Sequence, residues 1–114
     1  MAPPLQFVKQ IVSRTFTTRG PGPGYKMFYY VYIIESIKNR GLYVGETNDL
    51  KNRLQEHNRG DNISTKTYKP WKLIHYESYL NQEDALRREK YFKTSQGGRL
   101  LKRMLKEYFY EQKS

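Results

Sequence analysis

Two apolar runs separated by a short polar turn constrain this chain more than any other feature. Residues 28–35 (FYYVYIIE) are aromatic or β-branched almost throughout, the signature of a strand covered on both faces. Residues 42–46 (LYVGE) read as a second strand, and the polar segment Ser36 to Arg40, which contains Asn39, lies between them. The two runs are expected to close an antiparallel hairpin. Gly45 falls inside the second run, where a glycine costs stability unless a backbone or a ligand must approach closely.

The hairpin is followed by a helix start. Thr47-Asn48-Asp49 offers side-chain oxygens for the free amides of a first turn. The spacing predicts a helix to about Asn58 that ends before Gly60, with Leu50 and Leu54 on its buried edge. Arg53 and His57 repeat at i, i+4 and share a neighbouring face. Residues 60–70 (GDNISTKTYKP) read as a basic loop, and Trp71 to Tyr79 as a third strand. Asn81 is expected to cap a second helix over 82–93, with Glu83 and Asp84 suiting its first turn. Gly97-Gly98 is expected to break the chain before a third helix, whose Leu101, Met104, Leu105 and Tyr108 form one apolar stripe. The order of elements predicts an α/β chain of the α+β type: a small three-stranded, mainly antiparallel sheet flanked by about three helices. No internal repeat is present.

With 114 residues there is room for one domain. Eleven Tyr and five Phe supply burial that a low aliphatic content would not. Lys and Arg number 21 against 11 Asp and Glu, giving +10. Self-repulsion of that size destabilises a compact chain. Its commonest use is to engage a polyanion whose phosphates release counterions on binding, and the plain alternative is a solvated surface. No basic amphipathic helix with a bulky apolar face supports a membrane partner. The absence of cysteine removes disulfides, thiolate metal sites and cysteine nucleophiles, and suits the cytoplasm. Residues 1–26 contain Lys9, Arg14, Arg19 and Lys26, no acidic residue, and a closing Gly-Pro repeat. They read as a flexible basic extension ahead of a start at Met27, with an organelle-targeting peptide as the alternative. The folded domain is expected over 27–110, with a tail at 111–114.

Glu89 is the informative residue of the second helix, because its i−4, i−3 and i+3 neighbours are Ala85, Leu86 and Phe92. A carboxylate on that side is costly unless it is paired or bound to a metal. The competing reading is a half-exposed Glu paired with Arg88 or Lys93. Taken singly, Tyr32 and Tyr43 read as core aromatics, and Arg53 and His57 as a solvated helix face.

Together these residues resemble the GIY-YIG nuclease superfamily. Its first tripeptide appears as Tyr30-Val31-Tyr32 and its second as Tyr43-Val44-Gly45, with ten residues between them. The helical Arg and the residue one turn later are matched by Arg53 and His57, and the metal-binding Glu by Glu89 within Arg88-Glu89-Lys90. HNRG, STKTYKPW, ALRREKYFK and GGRLLKRML look most similar to the small stand-alone bacterial members, themselves similar to the incision domain of the excision-repair endonuclease. The likeness covers Met27 to about Leu105. The chain departs from the pattern at Tyr30, where the family name has glycine. It departs again at Glu46, where some members carry lysine, and over Gly97 to Met104, where a family asparagine has no counterpart.

The resemblance implies the GIY-YIG fold and a divalent-metal-dependent endonuclease for branched, flapped or damaged DNA, linked to repair or recombination. A catalytically weak or inactive nucleic-acid-binding module of the same fold, with RNA as well as DNA as a candidate target, is the alternative. It implies Mg²⁺ (or Mn²⁺) held by Glu89, Tyr43 or Tyr32 as the base, Arg53 on the phosphate, His57 relaying a proton or holding a tyrosine, and Gly45 making room for the scissile phosphate. A phenol of pKa roughly 10 needs nearby positive charge for such work. DNA contacts are expected from Arg59, Lys66, Lys69, Lys72, Arg87, Lys93, Arg99 and Arg103, and stacking of an exposed base from Tyr68 or Trp71.

Overall fold

The computed structural model describes residues 27–113; the expected extension at 1–26 lies outside them. β1 (Tyr29–Ser36) is the centre of a three-stranded antiparallel sheet, between β2 (Leu42–Thr47) and β3 (Trp71–Tyr79). Side chains alternate across a strand, and both faces of β1 are covered. Val31 and Ile33 pack with Val44, Ala85, Phe92 and Leu101. Tyr30, Tyr32 and Ile34 pack with Leu50 and Trp71. α1 (Leu50–Arg59) therefore covers the tyrosine face, and α2 (Gln82–Phe92) and α3 (Ser95–Met104) cover the other. β2 is left as an edge strand between the two helical layers.

The hairpin turn is built from local side-chain bonds. Ser36 Oγ accepts the amides of Lys38 and Asn39, both at 3.1 Å, and Asn39 Oδ1 accepts that of Gly41 at 2.9 Å. Its register sets Tyr32 opposite Gly45 and Ile34 opposite Tyr43, so both motif tyrosines face α1. Asp49 caps α1 through the Asn52 amide, and Gly60 ends it at φ 84°, a left-handed conformation that suits glycine. Asn81 caps α2.

Three expectations need correcting. Gly97 and Gly98 do not break the chain: they lie in the first turn of α3, whose N-cap is Thr94. A Cβ on Gly97 would collide with the carbonyl of Tyr91, so that glycine permits the close approach of α2 and α3. The apolar stripe is not continuous either. Leu101 is buried, but Met104 is exposed, and the helix is interrupted at Leu105. The chain resumes as α4 (Lys106–Lys113), which runs through positions expected as a tail. Tyr108 docks α4 by donating a 2.6 Å hydrogen bond to the buried Glu35. Among the described residues, no helix is long and apolar enough to cross a membrane.

Candidate active site

The register that puts Tyr32 opposite Gly45 also explains the glycine. A Cβ at position 45 would run into the Tyr32 ring and hydroxyl, so the space expected for a passing phosphate is filled by a phenol. Tyr32 is buried to 1% exposure and His57 to 0%. The Tyr32 hydroxyl lies 2.8 Å from His57 Nε2, and His57 Nδ1 lies 2.7 Å from Thr65 Oγ1. Burial, and then the Arg53 charge, lower the His57 pKa, which favours the neutral ring. Burial pushes the Tyr32 phenol up to about 12, against the pull of the Arg53 guanidinium. A neutral imidazole accepts at one nitrogen and donates at the other. Either neutral tautomer satisfies both bonds: Tyr32 O–H donates to Nε2 while Nδ1–H donates to Thr65, or Nε2–H donates to the Tyr32 oxygen while the Thr65 hydroxyl donates to Nδ1. The face expected to carry a solvated histidine is thus an internal tether from β1 through α1 to the following loop.

Tyr43 is half-buried beside this tether. Its ring centroid is 5.2 Å from that of His57, 6.5 Å from Tyr32 and 6.3 Å from Trp71. Arg53 is partly exposed; its Nη1 donates to the Glu46 carbonyl at 3.4 Å, and its Nε pairs with Glu56 at 3.1 Å. These contacts hold the guanidinium at the N-terminal end of α1, within Coulombic reach of both tyrosines.

The carboxylates come from the other side of the sheet edge. Glu89 on α2 is one-fifth exposed and pairs with Lys93 one turn later at 3.2 Å, the partner expected for a Glu at the edge of the stripe. Arg88 is committed elsewhere, to a two-pronged pair with Glu77 at 2.9 and 3.2 Å. Lys93 Nζ also lies 6.0 Å over the Tyr43 ring, so one ammonium bridges the carboxylate layer and the tyrosine layer. Glu46, on β2, has a buried Oε2 without a hydrogen-bond partner among the described residues. Burial, and then the charge of Glu89, raise the Glu46 pKa.

An orphaned carboxylate oxygen close to a second carboxylate fits a hard cation bound through oxygen. Among the described residues, no group of three or more His, Asp or Glu converges as a metal cage. Glu46 and Glu89 are the oxygen donors here that could hold a divalent cation, with waters and substrate oxygens completing its shell.

The structure brings Tyr32, Tyr43, Arg53, His57 and Glu89 together around the edge strand, and adds Glu46, Thr65 and Lys93. Thr65 had no signal in the sequence beyond lying in the basic loop. Of the eight cations expected on nucleic acid, Lys93 touches this group. Lys66, Lys69, Arg99 and Arg103 are exposed, while Arg59 pairs with Asp61, Arg87 with Asp84, and Lys72 lies over the Tyr108 ring. Trp71 is not a platform for an exposed base: it is 7% exposed and its indole N–H donates to the Thr65 carbonyl at 2.8 Å. Tyr68 remains exposed.

The chain has relatives among known proteins. The chain is 35% identical over 86 residues to UPF0213 protein YazA of Bacillus subtilis, an alignment covering 75% of this chain and 80% of that protein. It is 41% identical over 66 residues to a UPF0213 protein of Pediococcus pentosaceus, covering 57% of this chain and 68% of the relative. A UPF0213 protein of Haloquadratum walsbyi is 38% identical over 63 residues, covering 54% and 70%. The family model described as the GIY-YIG catalytic domain matches residues 28–101, from the start of the sheet to the middle of α3. The chain therefore belongs to the GIY-YIG family, a family of nucleases whose substrates are nucleic acids.

Proposed function

We propose that the chain is a divalent-cation-dependent endonuclease that hydrolyses phosphodiester bonds of DNA. We propose further that it selects flapped, branched or damaged structures rather than sequence, as in repair or recombination. The observation that carries the reading is the position of Lys93, 3.2 Å from Glu89 and 6.0 Å over the Tyr43 ring. It marks a point around β2 that both Glu89 and the tyrosine reach. Among the described residues no helix is presented for reading bases in a major groove, which favours selection by the shape of the DNA.

Tyr43 is the residue assigned to accept the proton of the attacking water. Tyr32 is unsuited to that role, since its hydroxyl is buried and committed to His57. Arg53 and Lys93 place positive charge beside Tyr43, where the phosphate would lie. Arg53 takes the non-bridging phosphate oxygens in its planar fork. Tyr32, His57 and Thr65 hold the floor on which Tyr43 and Arg53 sit. A cation at Glu89 and Glu46 would supply Lewis-acid stabilisation of charge on the phosphoryl and leaving oxygens. In the net reaction water oxygen bonds to phosphorus, the P–O3′ bond breaks, and the 3′ oxygen leaves as a hydroxyl.

Incubating the full chain with flapped, branched and single-stranded DNA, in Mg²⁺, Mn²⁺ or EDTA, tests the reading. Cleavage should require the cation, and Glu89→Ala should abolish it while DNA binding persists. Cation-independent cleavage, or cleavage by Glu89→Ala, overturns the assignment. Binding without cleavage in any cation would establish the binding-module alternative, and preferential competition by RNA would move the substrate to RNA.

A further inference from the structure

We propose that the groove between β2 and α3 is a subsite for one unstacked base of the bound strand, and that Gly98 is the residue that keeps it open. The inference rests on the nuclease reading, because the groove adjoins the site that reading uses.

Gly98 has no structural reason to be glycine. It lies inside α3, where glycine is the poorest helix former apart from proline. Its φ is not in the left-handed region. A Cβ there would meet nothing within 4 Å, whereas one on the adjacent Gly97 would collide with the Tyr91 carbonyl. Packing explains Gly97 and leaves Gly98 unexplained.

What Gly98 does line is a groove of about 320 Å³, within the roughly 300–1,000 Å³ range of small-ligand sites. Leu42 forms a half-buried wall, and the buried core side chains Val44, Phe92 and Leu101 form its floor. Its remaining lining includes Tyr43, Lys93 and Lys102. The half-buried Leu42 and Tyr43 over an apolar floor suit the face of a base, and the two lysines suit the phosphates on either side of it. Tyr43 and Lys93 belong both to the groove and to the proposed active site. A nucleotide seated here is therefore continuous with the strand whose phosphate reaches Tyr43. A base stacked within a duplex cannot enter, but one at a flap, junction or single-stranded end can do so at little unstacking cost. The subsite would give structure selectivity a physical origin.

The test is binding of the full chain, in EDTA, to fluorescein-labelled oligothymidylate and to an abasic strand of equal length, about 15 nucleotides. Both carry the same phosphates. The wild-type chain should bind oligothymidylate roughly ten-fold more tightly. Gly98→Ala should raise Tm, because its Cβ enters open space, and should narrow the preference. Gly98→Leu should erase it while leaving abasic-strand affinity within about two-fold of wild type. Equal binding of both strands by the wild-type chain overturns the subsite, as does a folded Gly98→Ala or Gly98→Leu variant with full preference. Because EDTA suppresses turnover, this outcome is separable from the nuclease reading. Failure to cleave in Mg²⁺ with base preference intact sinks only that reading, and cleavage without base preference sinks only the subsite.

Discussion

The Tyr32 hydroxyl and His57 Nε2 form a 2.8 Å hydrogen bond with both side chains sealed from solvent, whereas Tyr43, the other motif tyrosine, is half-buried at the site. The two tyrosines should therefore respond differently to loss of the hydroxyl. Tyr32→Phe leaves a buried imidazole nitrogen unsatisfied and is expected to cost about 1–3 kcal/mol of stability. Tyr43→Phe should cost under about 0.5 kcal/mol, as for a substitution that leaves no buried group unpaired, yet lower cleavage at least roughly 100-fold by removing the proposed base. Urea unfolding and single-turnover cleavage of both variants check the pair of outcomes. A strong stability loss in Tyr43→Phe with normal cleavage would reverse the assignment.

The same tether makes stability depend on pH. The folded-state pKa of His57 lies below its ordinary value of 6.5, so above that value neither state binds the proton and the contribution is intact. As pH falls below 6.5 the unfolded chain takes up a proton that the folded chain resists, and stability drops until the folded pKa is passed. Glu77 acts in a lower window. Burial opposes its charge, but hydrogen bonds from His75, Arg88 and Tyr79 overcome that and bring its carboxyl from 4.5 to about 2. Its contribution, on the order of 3 kcal/mol, is present above pH 4.5 and fades as pH falls toward 2. Urea midpoints from pH 7.5 to 3 should show two declines. His57→Gln should remove the first and Glu77→Gln the second; a single decline shared by both variants would refute the separation.

Gly45→Ala and Gly98→Ala should move stability in opposite directions, although both add one methyl group. At Gly45 the Cβ meets the Tyr32 ring, which is pinned by His57 and cannot swing away. Overpacking of this kind costs typically 1–3 kcal/mol. At Gly98 the Cβ meets nothing, and the gain in helix propensity is about 1 kcal/mol. Thermal unfolding of the two variants side by side gives the sign directly.

The sequence made the sheet legible because β1 is buried on both faces, which leaves a run of aromatic and β-branched residues with no polar interruption before Glu35. The caps at Asp49 and Asn81 were equally readable, since each acts on an amide two or three residues away. What was not readable depends on approach between distant elements. Gly97 looks like a breaker because propensity is local, but the approach of α2 to α3 requires a glycine where a helix would not choose one. Thr65 joins the site by a bond to His57 from an irregular loop, where no periodicity marks it. Trp71 looked available for stacking because a third strand could have had one open face, but the loop carrying Thr65 caps its indole. Glu46 was legible as an anomaly and not as a partner of Glu89, which lies 43 positions away and acts on it only around the sheet edge.

Glu46→Gln should separate the cost of that carboxylate from its use. Glu46 has a buried Oε2 without a hydrogen-bond partner among the described residues, and it lies in the field of Glu89. An amide of the same shape removes the charge and with it the repulsion, so Tm without cation should rise. If Glu46 shares the cation with Glu89, the same change removes one anionic ligand. The Tm increase produced by saturating Mn²⁺ should then shrink, and calorimetric titration should show Mn²⁺ affinity reduced roughly ten-fold or more. Glu89→Gln should abolish the Mn²⁺-induced shift altogether, while Lys93→Ala should enlarge it by freeing Glu89 from its 3.2 Å pair. The contrast matters because a merely structural Glu46 predicts the opposite sign without cation: its replacement would lower Tm and leave the Mn²⁺ increment unchanged.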